Sequence, residues 1–229
     1  MDKFNRLVNQ VGISFQNTPI IKQAFTHRSY LNEAKKPINS NERLEFLGDS
    51  ILSYLVSEYL FKSYPKLPEG ELTNLRSSIV KTSMLATVAK NLNLGEHLML
   101  SRGEEESGGR QNPSILADTF ESFLGAIYLD QGLASVTKIL NKLLFPNLIK
   151  ILKEKLYKDS KSTFQEVVQE VSKISPNYKV TSEKGPDHSK EFTVAVYVSD
   201  KLWGVGKGRS KQEAEQEAAR AALEKWNSK

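Results

Sequence analysis

The stretch Asn41-Glu42-Arg43-Leu44-Glu45-Phe46-Leu47-Gly48-Asp49-Ser50-Ile51-Leu52 decides how the rest of this 229-residue chain is read. On a helix at about 100° per residue, Glu42, Glu45 and Asp49 fall within roughly 60° of one another. Leu44, Leu47, Ile51 and Leu55 fall together on the opposite side, the apolar stripe by which a helix anchors to a core. The expectation is a helix whose acids face away from that core. Three like charges on one face repel one another, and a hard divalent cation such as Mg²⁺ relieves the repulsion because it takes oxygen ligands. The competing reading is a plain solvated acidic face. Two features weigh against it. Phe46 sets an apolar ring beside the acids, and a second acidic pair at helical spacing, Asp118 and Glu121, lies in Ser114-Ile115-Leu116-Ala117-Asp118-Thr119-Phe120-Glu121.

Working outward, Phe4 to Val11 reads as a short amphipathic helix stopped by Gly12. Thr18-Pro19 offers a cap and a first-turn proline for a helix from Ile20 to Ser29. Asn32 to Ser40 is a polar loop leading into the organising helix, which should run to about Tyr64 before Pro65. Pro68-Glu69-Gly70-Glu71 reads as a turn, followed by a helix over Leu72 to Asn91. Gly95 to Pro113 reads as a glycine-rich loop, either a lid or plain surface. Asn112-Pro113 then caps the second acidic helix, expected through about Leu129 and closed by Gly132, with further helix over Leu133 to Leu156 interrupted at Pro146.

The composition is that of a soluble globular protein with a net charge of +5. Met1 to Arg6 leads into no secretory apolar segment, and no apolar run approaches the roughly 20 residues that span a bilayer, so a cytoplasmic protein without membrane contact is expected. There is no cysteine, which excludes disulfides and thiolate metal sites. The three histidines, His27, His97 and His188, are too scattered for a zinc site. The sharpest local charge excess is Val136 to Lys161, with seven lysines against Glu154 and Asp159. It reads as a phosphate-facing surface or as a lysine-rich helix running into a solvated linker.

That linker is placed at residues 153–162, between a helical domain at 1–152 and a second domain at 163–229. In the second domain Phe164, Val167, Val168 and Val171 mark a helix, and Tyr178 and Val180 begin a strand. Phe192, Val194, Val196 and Val198 alternate with polar or small residues at the period of two that marks a half-buried strand. Ser199-Asp200 is a turn into a third strand over Lys201 to Lys207. Ser210-Lys211-Gln212-Glu213 is a capping box opening a last helix, whose Ala214, Ala218, Ala221, Ala222 and Leu223 offer a small-residue packing face. The order is αβββα.

Asn41 to Leu52, followed downstream by Ile115-Leu116-Ala117-Asp118-Thr119-Phe120-Glu121-Ser122-Phe123-Leu124-Gly125-Ala126, resembles the bacterial ribonuclease III endonuclease domain, and Thr26-His27-Arg28-Ser29 matches a short motif of the same family. His27 reads as packed or hydrogen-bonded rather than catalytic. Thr163-Phe164-Gln165-Glu166, Gly185-Pro186-Asp187-His188 and Gly206-Lys207-Gly208-Arg209-Ser210-Lys211-Gln212-Glu213-Ala214-Glu215 resemble a double-stranded RNA-binding domain. Together the resemblance covers about Phe4 to Trp226. It implies an α+β protein: an all-α endonuclease domain joined by a flexible linker to a small αβββα domain.

The resemblance further implies an endonuclease that hydrolyses double-stranded RNA with Mg²⁺, or Mn²⁺ as substitute, and with no small-molecule cofactor, leaving staggered cuts with short 3′ overhangs. Precursor ribosomal RNA and structured messenger RNA are the implied substrates. The metal ligands would be Glu45, Asp49, Asp118 and Glu121, with Asp49 and Glu121 catalytic, Glu42 and Glu69 assisting, and Glu121 the indispensable one. Gln165, Glu166 and His188 would enter the minor grooves, and Lys207, Arg209 and Lys211 would grip phosphates at a helix N-terminus. Gln212 departs from the usual run of basic residues, which should weaken affinity and flatten its salt dependence. Two strands need two sites, so a homodimer through the catalytic domain is implied, with Phe46 either inserting into the partner or packing in its own chain. One rival is a non-catalytic RNA-binding protein on the same fold, opposed by the six acids all being present. Another is a nuclease acting on DNA, opposed by a second domain suited to A-form grooves.

Overall fold

The computed structural model describes residues 2–153, 159–186 and 190–227. It divides into two compact units, Met1–Tyr157 and Lys158–Lys229.

The first unit is helical. Its elements are α1 (Asp2–Val11), α2 (Thr18–Ala24), α3 (Glu42–Ser63), α4 (Glu69–Val80), α5 (Thr82–Asn91), α6 (Leu94–His97), α7 (Arg102–Glu106), α8 (Pro113–Gln131), α9 (Leu133–Leu143) and α10 (Asn147–Lys153). α8 is the centre of the core: Leu116, Phe120, Phe123, Leu124, Ala126 and Ile127 are all buried. A helix apolar nearly all round is one surrounded by others, and α8 packs against α2, α3, α5 and α9. α3 brings Leu44, Ile51, Leu52, Leu55 and Val56 to that core.

Several local expectations are corrected. The helix expected over Ile20 to Ser29 ends at Ala24, because the next residues pair elsewhere. Met99 N–H donates to the Phe25 carbonyl (2.8 Å), and His27 N–H donates to the Met99 carbonyl (3.1 Å). Asn17 rather than Thr18 stands at the cap position. The expected helix over Leu72 to Asn91 is two helices that meet at an extended Lys81, and α4 starts at Glu69, inside the expected turn. The supposed loop over Gly95 to Pro113 holds α6, α7 and a 3-10 turn, Gly109–Gln111. Arg110 pins it, its Nη1 donating to the carbonyls of Gly95 and Leu98 (both 2.9 Å) and its Nε to Glu105 (2.6 Å), which is the geometry of a fixed segment rather than a lid. The interruption expected at Pro146 is present, separating α9 from α10, and residues 154–156 of the expected stretch lie outside the described residues.

The second unit runs α11 (Ser160–Ser172), β1 (Asn177–Lys184), β2 (Glu191–Val198), β3 (Lys201–Gly208) and α12 (Lys211–Asn227), an antiparallel sheet of order β1-β2-β3 with helices packed on it. Gly204, Gly206 and Gly208 lie under α12, where a Cβ on Gly206 would collide with the Ala218 backbone. The buried faces of Ala214, Ala218 and Ala222 fit that close approach. Phe164, Trp203 and Trp226 close the end of this core, with ring centroids 4.6–6.3 Å apart. Of the linker placed at 153–162, Lys153 belongs to α10, Asp159 caps α11 by accepting the Ser162 N–H (3.1 Å), and 154–158 lie outside the described residues.

Candidate functional site

α3 and α8 cross with almost no space between their backbones, and two glycines permit it. A Cβ on Gly48 would collide with the Glu121 carbonyl, and one on Gly125 with the Leu44 carbonyl. Glycine inside a helix costs about 1 kcal/mol relative to alanine, so its presence at both crossing points reflects packing. The crossing brings residues one turn before Gly48, and one and two turns before Gly125, into one cleft. Carboxylate oxygens of Glu45 on α3 and of Asp118 and Glu121 on α8 all lie within 4.8 Å of one another. Far from facing away from the core, Glu45 is half-buried against α8, as Asp118 and Glu121 are against α3.

Their electrostatics follow from crowding in a partly dry cleft. Burial first, and then the charges of Asp49, Asp118 and Glu45, push Glu121 up to about 8 from an ordinary 4.5. Burial and the charges of Asp118, Glu42 and Asp49 also raise Glu45. Burial raises Asp118, opposed by the nearby His27. Such a cluster holds protons unless a cation compensates it. Half-buried carboxylates and no sulfur or imidazole donor among the three match what a hard divalent ion takes.

The other acids stand at graded distances. Asp49 is exposed at the rim and acts on Glu45 and Glu121 through its charge. Glu42 is turned away, accepting the Ser40 hydroxyl (2.8 Å) and pairing with Arg28 (3.6 Å). Glu69 is not brought into the cluster: it opens α4, accepts the Thr73 hydroxyl (2.9 Å) and lines a groove with Tyr54, Phe61 and Arg76. Phe46 is 78% exposed and so does not pack within its own chain.

Residues that the sequence reading passed over hold the two helices in register. Ser122, fully buried, donates its hydroxyl to the Ala24 carbonyl (2.7 Å), and the buried Asn41 donates its backbone N–H to the Thr26 carbonyl (2.8 Å). The segment Ala24–Thr26 thus ties α8, one residue past Glu121, to the start of α3, four residues before Glu45. A buried serine beside an acid and glycines inside apolar helices were the signals available.

In the second unit, Gln165 and Glu166 are exposed on the first turns of α11. Lys207 pairs across strands with Glu191 (3.5 Å), and Lys211 lies over the Phe192 ring (5.7 Å). Ser210 accepts the Glu213 N–H (3.1 Å), and the Glu213 carboxylate accepts the Arg209 N–H (2.7 Å), so the capping box closes one residue earlier than its usual form. Lys207 stands near the end of β3, Arg209 in the turn after it, and Lys211 opens α12. His188 lies outside the described residues.

Fold and site define a class: a helical domain with a metal-competent carboxylate cleft at a helix crossing, followed by an αβββα module with cations at a helix N-terminus. Family models agree, residues 17–148 matching "Ribonuclease-III-like" and 160–226 "Double-stranded RNA binding motif". The chain is 47% identical to "Ribonuclease 3" of Geobacillus kaustophilus over 97% of this chain and 90% of that protein. It is also 47% identical to "Ribonuclease 3" of Oceanobacillus iheyensis, over 96% and 97% respectively. Among solved structures it resembles the nuclease domain of ribonuclease III from Campylobacter jejuni, at 38% identity and a TM-score of 0.59, over 63% of this chain and 97% of that one. The chain belongs to the ribonuclease III family.

Proposed function

We propose that this protein is an endoribonuclease that hydrolyses phosphodiester bonds in double-stranded RNA using Mg²⁺, with Mn²⁺ as a substitute. The observation that carries this reading is the convergence of Glu45, Asp118 and Glu121 in one half-buried cleft of a chain that also bears a double-stranded RNA-binding motif. Glu45, Asp118 and Glu121, joined by Asp49 at the rim, hold the metal. When bound, a divalent ion supplies a water of lowered pKa and a counter-charge for the attacked phosphate. By letting α3 and α8 approach closely, Gly48 and Gly125 keep Glu45, Asp118 and Glu121 within 4.8 Å of one another, close enough to share one ion. Glu42 and Glu69, further out, contact water or substrate.

Gln165, Glu166, His188, Lys207, Arg209 and Lys211 engage the duplex by shape and phosphate, and Lys207 must exchange its Glu191 partner for a phosphate to do so. The protein acts as a homodimer through the helical unit, each site cutting one strand. Phe46, Tyr54 and Phe61 support this: they are 78%, 55% and 73% exposed, and at about 100° per residue they fall within about 80° of one another on α3. The related Campylobacter jejuni nuclease domain has a region involved in dimer formation. The activity belongs in the cytoplasm, and no helix among the described residues is long and apolar enough to cross a membrane.

The test is incubation of a long, fully paired RNA with Mg²⁺ beside a DNA duplex of equal length. Short RNA duplexes should form while the DNA stays intact and competes poorly. RNA bound but left whole by the folded protein would instead establish the non-catalytic reading.

A further inference from the structure

Two helices of the second unit carry groups assigned to the duplex. Gln165 and Glu166 stand on the first turns of α11, and Lys211 opens α12 directly after Arg209 and Ser210. Reading a duplex by shape requires these two sets to stand at the separation between a minor groove and the phosphates across the neighbouring major groove. That separation differs between the A form of RNA and the B form of DNA. Along their bodies the helices share a core of Phe164 and Val168 from α11 with Ala214, Ala218, Ala219 and Ala222 from α12, apolar surfaces whose attraction has no direction. Near their starts the contacts are polar and directed. Lys161 Nζ donates to the Glu215 carboxylate (2.6 Å) and lies over the Tyr178 ring, 4.9 Å from its centroid. The Lys161 backbone N–H donates to Gln216 Oε1 (3.2 Å), and Gln216 Nε2 donates to the Asp159 carboxylate (2.7 Å). Both ends of the Gln216 amide thus meet the start of α11. Lys161 lies four residues before Gln165, and Glu215 four residues after Lys211, so each partner of the ion pair shares a helix face with a duplex-reading residue one turn away.

We propose that Lys161 and Glu215 are positioning residues for duplex recognition: their ion pair, backed by the Gln216–Asp159 contact, sets the spacing between the minor-groove residues of α11 and the phosphate-gripping residues at the start of α12, and so makes the unit favour duplex RNA over duplex DNA. The inference rests on the proposed recognition of double-stranded RNA by this unit. It differs from an ordinary stabilising ion pair, whose loss would lower the unfolding temperature and leave the preference of the folded protein unchanged.

The full chain, kept from cutting by a chelator, is titrated onto an RNA duplex and a DNA duplex of the same sequence, about 20 base pairs long so that one unit fits on each. The parent is compared with Lys161→Met, Glu215→Gln and the double variant, each well below its own recorded unfolding temperature. The two single substitutions change the net charge in opposite directions, so charge alone would weaken binding to both duplexes in the first and tighten it in the second. Loss of positioning should instead lower the ratio of RNA to DNA affinity about 10-fold in both. The double variant restores the parent's net charge and leaves neither group as an uncompensated charge, so it decides the question if a single variant fails to fold. It should show the same loss of ratio as the singles rather than the product of their effects, because all three remove one contact. A ratio within about 3-fold of the parent in the double variant, or opposite changes of the ratio in the two singles, would overturn the positioning role while leaving duplex recognition standing. Equal binding of RNA and DNA by the parent itself would instead overturn the duplex-RNA reading and this inference with it.

Discussion

Glu121 is the residue at which burial and charge oppose each other most strongly, and its titration exposes the balance. The unfolded chain releases this proton near 4.5, and the folded, metal-free protein near 8. Between those values the folded state holds a proton that the unfolded state has lost, so folding is favoured at the acid end and loses stability as pH rises. Chelator-treated protein should therefore unfold at progressively lower temperature from about pH 5 to about pH 8, because Glu45 and Asp118 act in the same direction. Glu121→Gln should flatten most of that slope, and saturating Mg²⁺ should reverse it in the parent by binding the ionised form. A chelated parent whose unfolding temperature is flat or rising across this range would show that the carboxylates are not desolvated as described. The acids themselves were legible in the sequence through their helical spacing, but their burial was not. A 60° stripe says which residues share a face, whereas only the partner helix decides whether that face is wet.

At the scale of elements, the α3–α8 crossing does the assembly. In a solvated helix Gly→Ala adds about 1 kcal/mol of stability. At Gly48 the sign should invert, because the new methyl meets the Glu121 backbone, which cannot rotate away. Gly48→Ala is expected to destabilise by about 3 kcal/mol, the range of overpacked cores, and to lose Mn²⁺ binding by spreading Glu45 from Glu121. An unchanged or raised unfolding temperature would contradict the close crossing. Helices α3 and α8 were readable nearly to the residue, since Asn112-Pro113, Gly132 and Pro65 punctuate them. Glycine and proline misled at Pro68-Glu69-Gly70-Glu71 and over Gly95 to Pro113, where helix stands in place of the expected turn and loop, and two breaks carry neither residue. The break at Lys81 interrupts a continuous apolar periodicity, and the end of α2 at Ala24 is imposed by pairing of Phe25 and His27 with Met99, some 70 residues away. The αβββα order was legible because Phe192 to Val198 alternates in sequence and the last helix opens with a capping box, whereas the register shifts in both strand pairs and the burial of Ala195 between Val194 and Val196 were not.

Across the whole molecule, the carboxylate cleft and the double-stranded RNA-binding motif lie in separate compact units, Met1–Tyr157 and Lys158–Lys229, and the proposed function assigns chemistry to the first and duplex recognition to the second. Glu69 marks the limit of what sequence alone placed: the resemblance implied an assisting role beside the metal ligands, and the fold sets it in a groove with the exposed Tyr54 and Phe61. That division of labour is what cleavage and binding, measured on one variant, test most directly. Glu121→Gln protein and chelated parent are compared with Mg²⁺-loaded parent for cutting of a long RNA duplex and for retention of the same duplex on a gel. Cutting should fall by roughly 10³-fold or more in both, with duplex affinity within about 3-fold of the parent. Undiminished cutting by Glu121→Gln would contradict the assignment of catalysis to the cleft, and loss of binding alongside loss of cutting would contradict the separation of the two units.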